Sequence, residues 1–399
     1  MNENILYLSY DGLTDPLGQS QILPYLTGLS QKGYNFTIIS AEKKENLEQK
    51  KQLIESQIEK SNIEWQPIFY HKKPPVLSTL WDLWQMYHKA IYLHRQKKFA
   101  LVHCRSYLTA LIGERFTQKH QVPFLFDMRG FWADERIDGN LWNLQNPLYR
   151  KIYNFFKQKE KDFLQNAAYC ISLTHNAKNE ILSWKGFEQT RIAVIPCCVD
   201  TDLFCQTFQK LSNSKKPLTI SYLGSIGTWY MLREMLLFYK ILLQTYPQAR
   251  FLFITAEPAS MILQEATKLD LPLSQIEIRK AQRNEVPAFI AQSDISVFFI
   301  KDSYSKKASS PTKMAEILAM GIPVITNNIG DNAFLFEKYN YGYLLHDLSY
   351  ESMQKAVEQI PNLLQKSAEK LRAIAKDYFA LEKGVAEYER VYEKILRGK

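Results

Sequence analysis

The chain has no apolar run approaching the ~20 residues that a membrane-spanning helix needs, so an integral helical membrane protein is not expected. Cysteine is scarce: Cys104, Cys170, Cys197, Cys198 and Cys205 show neither a Cys-x-x-Cys pair nor a Cys/His spacing suited to zinc. The first two sit in apolar, strand-like runs, and the set reads as core residues of a reducing compartment. The seven histidines lack metal-binding spacing as well, so no metal is expected. There is no low-complexity tract, no nucleic-acid motif and no concentrated Lys/Arg tract, which argues against a nucleic-acid partner. Met1-Asn2-Glu3-Asn4 runs straight into an apolar stretch without a signal-peptide pattern. The expected location is the cytoplasm, with a peripheral contact at the inner face of the cell membrane left open.

What is present is ordinary globular composition with a basic excess. The 50 Lys and Arg residues against 41 Asp and Glu give a net charge of +9, which favours acidic partners. At 399 residues the chain is long enough for two domains with proper cores.

Short apolar runs recur at Ile5 to Tyr10, Phe36 to Ile39, Ile63 to Tyr70, Ala100 to His103, Phe124 to Asp127, Tyr169 to Ser172 and Ile192 to Ile195. Helical patterns such as Leu80 to Lys97 and Leu148 to Leu164 lie between them. After a polar stretch, Val199 to Pro217, the alternation resumes at Leu218 to Gly224, Phe251 to Ile254, Ile276 to Ile278, Ile295 to Ile300 and Pro323 to Thr326, and a tail from Tyr350 reads as helical throughout. Alternating strands and helices predict an α/β protein with parallel sheets covered on both faces. The expected division is 1–198, 199–378 and a closing helix, 379–399, that returns to the first domain. Ligands of such domains bind at the carboxyl ends of the strands, and the natural site is a central cleft that the two domains face.

One stretch is out of keeping with its surroundings. Ser310 suits an N-cap and Pro311 a first helical position, while Gly321 and Pro323 stop the helix about three turns later. Glu316 is the only ionisable side chain between Met314 and Thr326. A carboxylate there costs several kcal/mol unless paired, about 2–7 for a lone polar group and more for a charge, so it needs a partner. Lys313 opposes the positive end of the helix dipole. An anion at the helix N-terminus and hydroxyl groups over Glu316 would relieve both; a solvated lysine and a carboxylate capped by backbone is the plainer alternative.

Other segments carry weaker signals. Gly224-Ser225-Ile226-Gly227 follows a strand and opens a helix, so its amides suit a phosphate or simply a tight turn. Lys301, Lys306, Lys307 and Lys313 cluster after the Ile295 strand and could neutralise a diphosphate or be solvated. Asp127 and Arg129, two apart on an extended chain, share a face; they either hold a hydroxyl-rich ligand or form an internal ion pair. Asp200-Thr201-Asp202 imitates a metal-binding DxD but falls in the connector. The stretch Leu148 to Leu164 interleaves aromatics with lysines and suits either an anionic membrane or packing on the sheet.

The run Pro311-Thr312-Lys313-Met314-Ala315-Glu316, continuing through Ala319-Met320-Gly321-Ile322-Pro323-Val324-Ile325, resembles the donor-site signature of the group 1, family 4 glycosyltransferases. Ile195-Pro196 with Val199-Asp200 and Phe204 is similar to that family's connector, Tyr222-Leu223-Gly224-Ser225 to its first C-terminal strand and glycine turn, and Tyr7 to Leu29, with Gly18, to its acceptor-side glycine loop. The resemblance covers nearly the whole chain. It implies the GT-B fold of two doubly wound Rossmann-like domains, and metal-independent transfer of a sugar from a nucleoside diphosphate donor with retention of configuration. The donor is a substrate; no cofactor is implied. A polysaccharide or lipid-linked acceptor is expected, with a nucleotide-sugar epimerase of the same fold and a non-catalytic nucleotide-sugar-binding partner subunit as alternatives. By the same resemblance Glu316 would hold the donor ribose, and Ser309, Ser310, Pro311, Thr312 and Lys313 would face the diphosphate beside Gly224 and Ser225. Asp127 and Arg129 would join Lys313 and Glu316 as the catalytic set. Three departures stand out: Ala308 replaces the family's other glutamate, Ser225 and Tyr230 replace its basic pair, and Asp127 or a neighbour stands where a histidine is expected.

Overall fold

Branched and aromatic residues dominate the short apolar runs, which form strands that all pair in parallel. The computed structural model describes residues 3–205 and 216–398. One sheet contains β1 (Asn4–Ser9), β2 (Asn35–Glu42), β3 (Ile63–Trp65), β4 (Ile68–Phe69), β5 (Leu101–Arg105), β6 (Phe124–Asp127), β7 (Tyr169–Ser172) and β8 (Ile192–Val194). Its order is β3-β2-β1-β5-β6-β7-β8, with β4 pairing β2. The other contains β9 (Thr219–Leu223), β10 (Arg250–Ile254), β11 (Ile276–Arg279), β12 (Ile295–Phe298), β13 (Val324–Asn327) and β14 (Gly342–Leu345), in the order β11-β10-β9-β12-β13-β14. Strand residues are buried without alternation in β1, β6, β9 and β12, as a sheet covered on both faces requires.

The chain divides into two compact units, Met1–Pro196 with Leu381–Lys399, and Cys197–Ala380. The final helix, Leu381–Arg397, buries Gly384, Val385, Tyr388, Val391 and Tyr392, a spacing that forms one helical face. That face belongs to the first unit. Tyr388 donates to Asp127 Oδ2 at 2.9 Å, and the Tyr392 hydroxyl lies 2.7 Å from His103 Nδ1.

Several elements differ from expectation. The run Ile63 to Tyr70 breaks into β3 and β4 at Gln66-Pro67, where proline has no amide for the ladder. β12 stops at Phe298 because the Asn327 side chain replaces the ladder: it donates to Ile300 O at 2.7 Å and accepts from the Ile300 amide at 2.9 Å. The tail is not continuous helix. It breaks between Phe379 and Leu381, where Ala380 is extended and bridges Val199. The polar stretch Val199 to Pro217 lies partly outside the described residues.

Gly18 sits within the helix Pro16–Gln21 and not in an open loop. A Cβ there would stand 2.2 Å from Gly12 O and 2.5 Å from Leu13 Cα, both backbone atoms. Close approach of helix to loop therefore requires this glycine. Gly18→Ala should destabilise the protein by about 1–3 kcal/mol through overpacking, less the ~1 kcal/mol that alanine gains in a helix; a lower urea midpoint at unchanged m-value checks it.

Candidate functional site

In the second unit the order of the sheet reverses between β9 and β12, and at such a point the loops leaving the two strands diverge and open a crevice. The loop after β9 carries Gly224 and Ser225. Gly224 has φ +101, a conformation that favours glycine. The loop after β12 leads into the helix Thr312–Ala319. Residues 229 to 231 stitch the two loops together: Tyr230 bridges Ile300, the Met231 amide donates to Phe299 O at 3.0 Å and the Lys301 amide to Trp229 O at 2.8 Å. The expectation that the glycine turn opens a helix directly is therefore corrected, since the helix starts only at Leu232.

The stitch also determines where the lysines go. Lys313 points inward, its Nζ donating to the Tyr222 hydroxyl at 2.9 Å and lying 3.4 Å and 4.0 Å from the ring centroids of Tyr230 and Tyr222. Tyr222 in turn donates to Ser225 O at 2.5 Å, so the amine, the tyrosine and the glycine turn form one chain of contacts. A Cβ on Gly224 would lie 3.4 Å from Lys313 Nζ, which places the amine directly beneath that turn. Burial pushes the Lys313 amine well below its ordinary 10.5, while Glu316 acts in the opposite sense. The other lysines do not join it. Lys306 lies over the Trp229 ring at 3.6 Å, Lys307 over Tyr304 at 5.2 Å, and Lys301 is exposed.

Glu316 is almost fully buried, and its partner is Arg283, which donates to Oε1. The Arg283 guanidinium also covers the Phe204 ring at 4.6 Å. Among the described residues Oε2 has no hydrogen-bond donor, so a carboxylate with room for further bonds retains an open acceptor. The partner that Glu316 requires is thus within the unit, in a polar loop after β11 that sequence patterning does not single out. Ser310 does not cap the helix as expected. Pro311 occupies the N-cap, and Ser310 Oγ accepts from the Cys197 amide at 3.1 Å. The helix is also shorter than expected, because the chain leaves it at Ala319 and Gly321 then takes φ +72. The Met314 amide donates to Pro311 O at 3.0 Å, and the Thr312 and Lys313 amides before it have no intrahelical acceptor. Ser309, Ser310, Pro311 and Thr312 remain half-buried around this end, and Ala308 is buried and contributes no side-chain polar atom.

The first unit reverses its order between β1 and β5. Asp127, at the end of β6, is fully buried among His103, Arg105, Arg129 and Tyr388, with Nη1 of Arg129 3.8 Å from Oδ1 and His103 Nε2 3.5 Å from Oδ2. Burial alone would raise its carboxyl, but Arg129 chiefly, with His103 and Arg105, holds it down to about 2. The extended-chain premise for Asp127 and Arg129 is corrected: Arg129 has φ +57, and the two form the internal ion pair. His103 is the residue sequence reasoning missed. A histidine inside an apolar run is a visible signal, but only the β5–β6 pairing brings it to Asp127. Burial lowers its pKa, and a neutral ring with Nε2–H toward Asp127 and Nδ1 accepting from Tyr392 satisfies both nitrogens. Glu42 was also missed. Buried at the end of β2, it accepts from the Leu13 amide at 2.6 Å and from the Thr14 hydroxyl at 2.5 Å, closing the loop after β1. Asp200 Oδ1 accepts from the Asp202 and Leu203 amides at 2.9 and 3.0 Å and closes a turn.

Residues 22–203 match the family described as Glycosyltransferase Family 4, and residues 205–378 match Glycosyl transferases group 1. Among curated proteins none matches the chain. Solved structures with the same fold include sucrose-phosphate synthase from Thermosynechococcus elongatus, at TM-score 0.74 and 12% identity over 100% of both chains. Anabaena HepE in complex with UDP and glucose superposes at TM-score 0.70 and 14% identity, over 98% of this chain and 99% of that one. UDP-GlcNAc 2-epimerase from Neisseria meningitidis bound to UDP-GlcNAc gives TM-score 0.59 and 11% identity over 99% and 100%. Identities this low establish the fold alone, which is GT-B, with two parallel-sheet α/β domains. The two family matches, adjoining and covering most of the sequence, go further: the chain is a member of the group 1, family 4 glycosyltransferases.

Proposed function

We propose that the protein transfers a sugar from a nucleoside diphosphate sugar to a polysaccharide or lipid-linked acceptor, with retention of configuration and without a metal ion, at the cytoplasmic face of a membrane. The observation that carries this reading is the convergence of Glu316, Lys313 and the Gly224 turn at the switch point of the second sheet. The donor ribose hydroxyls donate to Glu316 Oε2. The diphosphate lies against the Ser310 and Thr312 amides and the Ser225 amide, because Pro311 has no N–H and the Ser309 and Gly224 amides already donate to Lys306 O and Ile254 O. Lys313, protonated when an anion arrives, neutralises the charge that grows on the leaving phosphate as the glycosidic bond breaks. In the first unit Asp127 is a positioning residue: it fixes the Arg129 guanidinium, which meets substrate together with the Gly18 helix. That HepE is in complex with UDP and glucose and the epimerase is bound to UDP-GlcNAc supports a uridine donor as the first to try.

The test incubates the protein with UDP-, GDP- and ADP-sugars, with and without acceptor glycans. Acceptor-dependent release of nucleoside diphosphate is expected, at a rate unchanged by EDTA and with the donor's anomeric configuration in the product by NMR. Turnover without acceptor would instead identify an epimerase. Donor binding without any turnover would identify a non-catalytic partner subunit.

A further inference from the structure

The helix Leu77–Lys97 has an unusual outward face. Its inner face is conventional, with Ser78, Asp82, Met86, Ala90 and Leu93 buried. The outer face carries Leu77, Leu80, Trp81, Trp84 and Tyr92, all more than half exposed: Leu77 65%, Trp81 52%, Trp84 52% and Tyr92 62%. Trp81 and Trp84 stack on each other in solvent, with ring centroids 5.0 Å apart and planes 17° from parallel. Scattered exposed leucines need no explanation, but a continuous aromatic and aliphatic stripe along one helix does.

The exposed Glu64 of β3 pairs with Lys97 at the helix's C-terminal end, but along the segment itself charge is of one sign. From His71 to Lys98 the single acidic residue is Asp82, and it is buried. Asp82 accepts from the Tyr10 hydroxyl at 3.0 Å and from the His71 amide at 2.9 Å, and its Oδ1 lies 2.6 Å from His71 Nδ1. This carboxylate therefore anchors the segment leading into the helix and holds exposed Lys72 and Lys73 at the stripe's N-terminal end, while exposed Arg95 and Lys98 mark the other end.

We infer that this face docks the protein on an anionic lipid bilayer. Tryptophan and tyrosine suit the boundary between headgroups and acyl chains, and flanking lysines and arginines suit anionic headgroups. A second copy of the chain is a poorer occupant, because two such faces would set basic ends against basic ends, and the exposed Glu64 beside them is already paired with Lys97. The helix Pro147–Asn166, which the sequence also marks as a membrane candidate, is differently used. Its Phe156 and Phe163 are buried, Lys157 pairs with Asp134 and Glu160, and Lys159 pairs with Glu114 and Asp162. The inference rests on the peripheral-membrane part of the proposed function and not on the transfer chemistry.

Co-sedimentation of the full chain with vesicles tests it, using phosphatidylcholine alone and phosphatidylcholine with about a third phosphatidylglycerol. Binding is expected to the anionic vesicles and to weaken with salt. Trp81→Ala with Trp84→Ala should reduce it by about tenfold or more, and Lys72→Glu with Lys73→Glu by about fivefold per lysine. An unchanged near-UV spectrum and thermal midpoint identify a folded variant, and the lysine pair provides the test if the tryptophan pair does not fold. Equal vesicle binding by wild type and both variants would overturn the inference. So would wild-type protein that ignores vesicles and dimerises through the stripe. Donor turnover is assayed separately with a water-soluble acceptor, so a failure of the transfer reading leaves the vesicle result standing.

Discussion

Glu316→Ala should raise the dissociation constant of the donor by about tenfold or more, the equivalent of roughly 1.4 kcal/mol or one charge-assisted hydrogen bond. The prediction follows from the open Oε2 and from the immediate neighbourhood of Lys313, one helical turn away on the same face. Arg283 gives it a second component. Removing the carboxylate leaves a guanidinium that is 29% exposed and can turn toward water, so Glu316→Ala should cost only about 1–2 kcal/mol of stability. Removing the arginine leaves a buried carboxylate, so Arg283→Ala should cost more, about 3 kcal/mol. The double variant should be less destabilised than the sum of the two. Donor should then protect Arg283→Ala against heat more than it protects wild type, because ribose hydroxyls replace a lost partner. Isothermal titration with nucleotide and urea unfolding of the three variants measure both components. Unchanged donor affinity in a folded Glu316→Ala protein would remove Glu316 from the ribose site.

The strands were legible because each is a short run of branched and aromatic residues bounded by polar turns, and the two-sheet fold followed from their alternation with helices. β14 was not, since Tyr341-Gly342-Tyr343 reads as a turn; Gly342 is required there because a Cβ would meet Val324 O at 1.9 Å. The site was half legible. A buried carboxylate and a lysine in a helix's first turn are anomalies that any reader of the sequence can mark, and both lie at the switch point. Their partners were hidden because partners depend on register and loop path. Arg283 sits in a polar loop where a charge is unremarkable, Tyr222 reaches Lys313 through the pairing of β9 with β12, and Tyr230 through the stitch to Ile300. The same limit applies to His103, Asp127 and Tyr388, which come from three distant parts of the chain.

The anomaly at Lys313 has a measurable consequence. Lys313→Met should stabilise the donor-free protein near neutral pH by about 1–3 kcal/mol, because it replaces a buried amine with a side chain that packs well on aromatic rings. It should also lower turnover by about a hundredfold or more, because the charge on the leaving diphosphate loses its neutralising group. The pH dependence separates this from simple repacking. In the unfolded chain Lys313 keeps its proton up to the ordinary 10.5; in the folded protein it releases it at lower pH. Between those two values the unfolded state binds the extra proton, so wild-type stability rises with pH by up to about 1.4 kcal/mol per unit and levels off above the unfolded value. Lys313→Met lacks this rise, so its advantage should shrink as pH increases. Urea unfolding across the range checks this, and parallel profiles would mean that Lys313 is not deprotonated on folding. A diphosphate arriving beneath the Gly224 turn favours the charged amine and should draw the proton back, so donor binding to wild type should take up a proton. Calorimetry in buffers of different ionisation enthalpy detects that uptake, and Lys313→Met should show none.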